Sequence, residues 1–356
     1  MEQDKIGFFQ LSILFMMSVG LMNHVMVIPM LLTNAKRDAW IAVLVTAVFF
    51  LVWLLLLRYV MKRTQHIHLF SWLYTHYGKV AAWGLSLCVY LFLLLLIGVT
   101  LKDTILWTVT SYFPQSPGFI LAFVFILICY FAATSNLTTL SILGGFLLFF
   151  VIVLGFFVMS VNFLHKDYSK LLPLLEHGWR PVFQGMIYSA GGLVELTLLL
   201  FLQHQVKKNI KTWKMLFLGI ILVGLTMGPL MGALALFGPY EAADQRYPAY
   251  EQWRLLKIGK YMEHLDFFSV YQWLSGAFIR ISLGLYIIGQ LFPLTIERNR
   301  HKLIGASALL VFLGMFLPIS DMELVRFMQH LYFPLSLLLF LTISLLISIL
   351  SLGKGG

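Results

Sequence analysis

The segment PVFQGMIYSAGGLVELTLLLFLQHQV, residues 181–206, is long enough to cross a lipid bilayer and carries a single acidic side chain near its centre. That side chain, Glu195, follows the pair Gly191-Gly192 by three residues. A carboxylate at this depth costs about 2.5–3.5 kcal/mol unless it faces protein, water or a partner charge. Glycines allow a helix to unwind, and membranes tolerate unwound backbone only around a protected cavity. The segment therefore predicts a broken membrane helix beside a functional site.

The first apolar segment has the same plan. Residues 6–35 carry no formal charge, Gly20 lies near their midpoint, and the polar side chains of Asn23 and His24 follow it. Gly20 precedes Gly191 by 171 residues, which is close to half of the 356-residue chain. Two interrupted helices at matching positions of two halves are typical of inverted-repeat transporters, with a ligand bound where both helices break. The alternative is that these are ordinary membrane-helix glycines.

The composition indicates an all-α polytopic membrane protein. The chain is 60% hydrophobic and 11% charged, with a mean hydropathy of +0.89. Each span needs roughly 20 apolar residues. Ten spans are predicted, at about 6–32, 39–60, 80–107, 118–136, 142–165, 181–203, 214–238, 267–296, 303–320 and 328–352. We expect one membrane domain, 1–356, with five spans in each repeat, about 1–172 and 173–356. An odd number of spans per repeat inverts the second repeat.

Basic residues in short connections predict the orientation, because they accumulate on the cytoplasmic side. The connections that carry them hold Arg58, Lys62, Arg63 and Lys79, then Lys207, Lys208, Lys211 and Lys214, then Arg298, Arg300 and Lys302. Both termini are therefore expected to be cytoplasmic. The net charge of +10 is explained by this bias and by contact with anionic membrane lipids. Nucleic-acid binding is not expected, because the sequence predicts no folded basic surface to support it.

Arg280 is the second charge near the centre of a predicted span, and it too must be paired or hydrated. We expect Glu195 and Arg280 to meet directly, or through water or a ligand. Opposite charges at one place suit a zwitterionic ligand, but a structural salt bridge is an equal alternative. If Glu195 were isolated instead, its raised pKa would make it a proton carrier.

The free backbone groups of broken helices attract the charged ends of a ligand. Backbone and hydroxyl contacts are therefore predicted in the first and sixth spans, and aromatic contacts in the third and eighth. The predicted ligand-binding residues are Ser18, Val19, Gly20, Tyr90, Tyr188, Ser189, Gly191, Gly192, Glu195, Tyr271 and Arg280, with Trp273 as a further aromatic candidate. Each aromatic is alternatively a packing or interfacial residue.

The remaining loops give weaker signals. In the outer loop 239–266, Leu255, Ile258, Met262 and Leu265 recur at helical spacing and predict an amphipathic helix, which serves as a lid or docking surface unless the loop is a solvated linker. Inner loop 62–79 holds three histidines without nearby carboxylates or cysteines, so we expect no metal site and no cofactor. Enzyme motifs such as a phosphate-binding glycine loop or a nucleophile elbow are missing from the sequence.

Several motifs together resemble the B-type (GerAB-like, including GerKB-like) subunits of bacterial spore germinant receptors, in the amino acid–polyamine–organocation superfamily. The sixth span contains GGLVE at 191–195 and is followed by KKNIK at 207–211. FPQSP at 113–117 precedes the fourth span. The outer loop contains RYP at 246–248 and IGKYMEHLDFF at 258–268, with Trp273 beyond it. The resemblance covers nearly the whole chain.

This resemblance implies a spore inner-membrane protein that recognises a small nutrient, often an amino acid. It further implies action with an A-type membrane subunit and a C-type lipoprotein. Two departures from the family pattern are Gln203-His204, where a proline is expected, and Arg280. Alternatives to a nutrient sensor are a secondary transporter coupled to protons through Glu195 and a scaffold subunit that no longer binds a ligand.

Overall fold

The computed structural model describes residues 5–207, 210–257, 264–292 and 299–352. Within these ranges the regular structure is helical, apart from one isolated parallel bridge between Ile6 and Val206. The α-helices are α1 Phe8–Leu21, α2 Ile28–Ala35, α3 Ala39–Arg63, α4 Leu69–Ser111, α5 Gly118–Thr134, α6 Leu137–Val161, α7 Trp179–Leu193, α8 Leu199–Leu202, α9 Thr212–Phe237, α10 Pro239–Asp244, α11 Pro248–Arg254, α12 Phe267–Ile288, α13 Arg300–Gly314, α14 Asp321–Phe327 and α15 Phe333–Leu352.

Six helical runs in the described ranges are long and apolar enough to cross a membrane. They are Phe8–Arg63, Leu69–Ser111, Leu137–His165, Trp179–Gln205, Thr212–Phe237 and Asp321–Leu352. The first run, of 56 residues, is divided at Lys36, whose backbone is not helical (φ 45°, ψ −122°). The ten-span inverted repeat stays a prediction.

The run Trp179–Gln205 lies at the centre of the bundle. In its most apolar stretch of 18 residues, 83% of the residues are buried, whereas in the corresponding stretch of Leu137–His165 only 6% are buried. The isolated bridge adds two hydrogen bonds, Ile6 N to Gln205 O and Lys207 N to Ile6 O, both 3.0 Å long. These bonds join the start of the chain to the end of its central run.

The predicted breaks in the first and sixth spans occur as changes of helix type. The first span passes from α1 into a π-helix at Met22–Val27 and then into α2. The sixth passes from α7 into a 3₁₀-helix at Val194–Leu198. Unwinding at Gly20 and at Gly191-Gly192 was therefore predicted wrongly, because all three glycines lie within α-helix. The chain keeps its backbone hydrogen bonds by changing their spacing.

Other predicted boundaries need correction. Helix α4 begins at Leu69 and contains one non-helical residue, Gly78 (φ 83°), so most of the predicted inner loop 62–79 is helical. The predicted ninth span extends to residue 320, but α13 ends at Gly314. In the outer loop, two short helices, α10 and α11, precede the predicted amphipathic helix. Residues 255–257 and 264–265, at the two ends of that prediction, are not helical, and the part between them, at 258–263, lies outside the described residues.

Candidate ligand-binding site

Glu195 and Arg280 form an ion pair in the interior of the bundle, which confirms that they meet. Arg280 Nη1 lies 2.7 Å from Glu195 Oε2, and Arg280 Nη2 lies 3.0 Å from Glu195 Oε1. Both side chains are 0% exposed. This parallel arrangement is the bidentate geometry in which a guanidinium and a carboxylate interact most strongly.

The rest of the guanidinium is also fully engaged. Arg280 Nε donates to Thr100 Oγ1 at 2.9 Å, Nη1 to the Ser18 carbonyl at 3.2 Å, and Nη2 to Tyr332 Oη at 3.0 Å. The Tyr332 hydroxyl donates in turn to Glu195 Oε1 at 2.7 Å. All five guanidinium N–H groups therefore have an acceptor. We call Ser18, Thr100, Glu195, Arg280 and Tyr332 the central network.

Proline positions explain the helix geometry around this network. Pro29 and Pro334 each lie two residues beyond a π-helix, Met22–Val27 and Met328–Tyr332 respectively. Proline has no N–H and its ring clashes with the carbonyl four residues earlier, so the preceding turn widens. At the start of the first π-helix, the N–H of Met22 is shared between the carbonyls of Ser18 and Val19. The Ser18 carbonyl has a second lone pair that accepts from Arg280.

The two glycines before Glu195 permit close helix packing. A Cβ at Gly191 would lie 2.7 Å from the backbone oxygen of Phe333, and a Cβ at Gly192 would lie 2.1 Å from Asn23 Oδ1. The Gly191 carbonyl accepts a hydrogen bond from Ser336 at 2.7 Å. Their role in the structure is thus to bring the sixth span against the first and last spans.

The predicted residues are brought together only in part. Ser18, Glu195 and Arg280 share the central network, and Val19 is buried beside Ser18. Ser189 hydrogen-bonds Thr46 at 2.7 Å, and Tyr188 packs edge-on against Phe333. Tyr90 and Tyr271 contact other groups, Ser307 at 3.3 Å and the Leu147 carbonyl at 3.4 Å. Tyr332 and Thr100 were not predicted, because hydroxyl groups in apolar spans are common.

A cavity of about 480 Å³ lies beside the central network rather than around it. It lies between α1, α6, α9, α11 and α12. Of the eleven predicted ligand-binding residues, only Gly20 lines it, together with the further candidate Trp273. Its lining includes Gly20, Lys166, Gly224, Gln252, Trp273 and Gly276.

The cavity wall is held by side-chain hydrogen bonds between its helices. Gln252 Nε2 donates to the Pro229 carbonyl at 3.0 Å, which joins α11 to α9. Trp253 Nε1 donates to Gln272 Oε1 at 3.0 Å, and Gln272 Nε2 donates to the Val151 carbonyl at 3.0 Å. These bonds connect α11, α12 and α6 around one space. A small-molecule site typically has such a mostly apolar wall with a few fixed polar groups.

A second charged cluster joins the outer loop to two spans. Arg246 contacts Asp103 through Nη2 and Asp321 through Nε, the latter at 3.1 Å. The guanidinium also lies 4.3 Å from the ring centre of Tyr247. Burial opposes the charge of Arg246, but the nearby Asp103 keeps its pKa above the ordinary value. We call Asp103, Arg246 and Asp321 the outer cluster.

Comparisons with known proteins agree with the motif resemblance. The family model described as "Spore germination protein" (Spore_permease) matches residues 5–324. The chain is 42% identical over 351 residues to "Spore germination protein XB" of Bacillus anthracis, covering 98% of this chain and 99% of that protein. Its fold resembles the crystal structure of MhsT in complex with L-phenylalanine, with a TM-score of 0.60, 10% identity, and coverage of 95% of this chain and 91% of the other.

At 10% identity the last comparison concerns the fold alone, whereas the first two comparisons identify the family. The family model covers four of the five residues of the central network and ends before the fifth, Tyr332. It also covers every residue that lines the cavity. The chain is therefore a permease-like integral membrane protein that belongs to the spore germination protein family, in agreement with the resemblance to the B-type subunits.

Proposed function

We propose that this chain is the nutrient-sensing subunit of a spore germinant receptor in the spore inner membrane. In this proposal it binds a small nutrient such as an amino acid near the bilayer midplane. It signals to an A-type membrane subunit and a C-type lipoprotein. Family membership supports the germination role.

The observation that carries ligand binding is the cavity of about 480 Å³, which reaches Gly20 on the first span. Its volume falls within the range of about 300–1,000 Å³ that small-molecule sites occupy. The fold it belongs to resembles that of a protein solved with L-phenylalanine bound. We propose that the nutrient first occupies this cavity.

Two helices link the cavity to the central network. On α1, Gly20 lines the cavity and Ser18 accepts a hydrogen bond from Arg280. On α12, Gly276 lines the cavity and Arg280 lies one turn further along. A ligand that favours one arrangement of α1 and α12 therefore also biases the network. Such differential affinity for two conformations is what a sensor requires.

The finer architecture belongs to the same proposal: ten spans in a five-plus-five inverted repeat, with both termini cytoplasmic. The predicted residues around Glu195 form a second possible ligand position. Because the ion pair fills that position, a ligand reaches it only after Glu195 and Arg280 separate. A ligand carboxylate would then compete with Glu195 for the guanidinium.

The competing function is a secondary transporter in which Glu195 carries the coupled proton. The likeness to the MhsT fold favours this alternative as much as it favours a sensor. Arg280 contacts both carboxylate oxygens of Glu195, so a transport cycle that uses Glu195 would require this ion pair to open. A scaffold subunit without a ligand is the third possibility.

Ligand-dependent thermal stabilisation of the purified chain against a nutrient panel tests the proposal. A specific binder raises the apparent melting temperature by mass action. Proteoliposomes containing only this chain then separate the functions. Saturable binding without flux, with co-purification of the other receptor subunits from spores, supports the sensor. Accumulation of labelled nutrient supports the transporter, and a complete lack of binding supports the scaffold.

A further inference from the structure

The cavity wall is electrically one-sided. Among its lining residues in the described ranges, Lys166 is the only lysine, arginine, aspartate or glutamate. Aromatic and aliphatic groups supply most of the remaining wall, including Phe156, Tyr250 and Trp273. An apolar space with one cation is suited to a ligand that has one anionic group on an apolar body.

The fold directs the Lys166 side chain inward after α6 ends. Asn162 Nδ2 donates to the Gln252 carbonyl at 2.9 Å, which fixes the end of α6 against α11. A Cβ at Gly232 would lie 3.5 Å from Lys166 Nζ and 2.4 Å from Gln252 Oε1. The missing side chain at Gly232 therefore leaves the space that Lys166 and Gln252 occupy together.

The ammonium of Lys166 has no carboxylate within ion-pair distance in the part of the chain that the structure describes. Burial lowers the pKa of this group from its ordinary value. The nearby Lys170 is different, because its Nζ donates to the Leu236 carbonyl at 2.7 Å and the residue does not line the cavity. An unpaired, partly buried ammonium gains more from an incoming anion than an exposed one does.

We propose that the cavity binds the carboxylate of a small, otherwise apolar molecule, and that Lys166 is the residue that pairs with this carboxylate. This inference rests on the proposed function and gives its nutrient a chemical class. The described wall offers no acidic partner for a ligand ammonium, so the carboxylate is the required group and the amino group contributes little.

The first test measures stabilisation of the purified chain by three probes of one shape: L-leucine, L-leucinamide and 4-methylpentanoate, extended to other apolar amino acids with their amides and deaminated acids. Carboxylate-bearing probes should bind, and amides should bind at least tenfold more weakly. Lys166→Met should weaken carboxylate binding about tenfold or more, as expected for loss of a hydrogen bond to a charged group. Lys166→Arg should retain part of it, and the control Lys170→Met should leave it unchanged.

A second variant tests the position without removing a charge. Gly224 lines the cavity, and a Cβ there would have no atom within 4 Å, so Gly224→Leu is chosen to extend a side chain into this open space. Gly84, on α4, has equally open surroundings and does not line the cavity, so Gly84→Leu is the matched control. We expect Gly224→Leu to abolish probe binding while the melting temperature without ligand stays close to that of Gly84→Leu.

The outcomes separate the two proposals. If carboxylates bind equally to Lys166→Met and Lys170→Met, the site is wrong and nutrient sensing stands. If only uncharged or cationic nutrients bind, the ligand class is wrong and sensing again stands. If stabilisation comes only from anionic phospholipid in nanodiscs and depends on Lys166, the occupant is a lipid and the inference is overturned. If nothing in the panel binds, both proposals fail.

Discussion

The central network and the outer cluster are both built from an arginine and carboxylates, but they differ in completeness. In the central network every N–H of Arg280 has an acceptor, and both charged partners are fully buried. In the outer cluster Asp321 is 43% exposed, and neither Asp103 Oδ2 nor Arg246 Nη1 has a hydrogen-bond partner among the described residues. The central network is thus a buried contact in which the arginine is fully hydrogen-bonded, whereas the outer cluster joins the outer loop to two spans at the edge of the bundle.

This difference has energetic consequences. A buried ion pair is expensive to form, but removing one partner is more damaging because it leaves an uncompensated charge. An exposed pair is weakened by water and salt. If the comparison is right, variants of the central network should destabilise the chain more than variants of the outer cluster, and their effects should be strongly coupled.

The largest effect is expected from separating Glu195 and Arg280. Glu195→Gln and Arg280→Gln should each cost about 3–5 kcal/mol, because each leaves one buried charge without its partner. The double variant should lose much less than the sum of the two single losses. Apparent melting temperatures of the four proteins in one detergent provide the measurement. Additive losses would show that the two residues contribute to stability independently, and would contradict the view that the central network is one coupled unit.

Next in size is the loss of the hydroxyl group at Tyr332. Tyr332→Phe removes a donor to Glu195 and an acceptor for Arg280, so we expect a cost of about 1.5–3 kcal/mol, typical of hydrogen bonds to charged groups. Tyr90→Phe is the matched control, since its hydroxyl is 3.3 Å from Ser307 and is not in the network. Equal melting temperatures for both variants would mean that Tyr332 does not stabilise the central network.

The sequence indicated the central network only through its two charged residues. Charges within apolar spans are rare, so Glu195 and Arg280 were recognisable without a structure. The cost of burying either one alone predicted that they meet, but not whether they do so directly or through water or a ligand. Tyr332 and Thr100 gave no comparable signal, because hydroxyl groups occur throughout membrane helices and bond to backbone at little cost. Pro334 did carry information, since a proline implies a local change in the preceding turn.

The cavity was harder to predict from the sequence than the central network was. Lys166 follows the end of a predicted span, where a lysine is normally an interfacial residue, so only the packing of α6 against α11 shows that it turns inward. The glycines were recognised as special for a wrong reason. Gly191 and Gly192 permit close contact between helices, and sequence alone does not distinguish close contact from unwinding.

The helices around the central network pack too closely at Gly191 to admit extra atoms. Gly191→Ala places a methyl group 2.7 Å from the Phe333 backbone oxygen, which cannot move aside as a side chain can. We expect a loss of about 1–3 kcal/mol, as for overpacked interiors. Gly84→Ala has open space around the new methyl group and should be nearly neutral. Similar melting temperatures for the two variants would show that the helices separate easily at this contact.

The smallest effect is expected at the exposed end of the outer cluster. Asp321→Asn removes one of the two carboxylates that contact Arg246, and an exposed pair of this kind contributes about 0.2–1 kcal/mol. The loss should shrink further in high salt, because screening already weakens the interaction. Glu251→Gln, which breaks the surface pair with Arg254, serves as the control. A loss of stability for Asp321→Asn as large as that for Glu195→Gln, and insensitive to salt, would show that the outer cluster stabilises the protein as strongly as the buried central network.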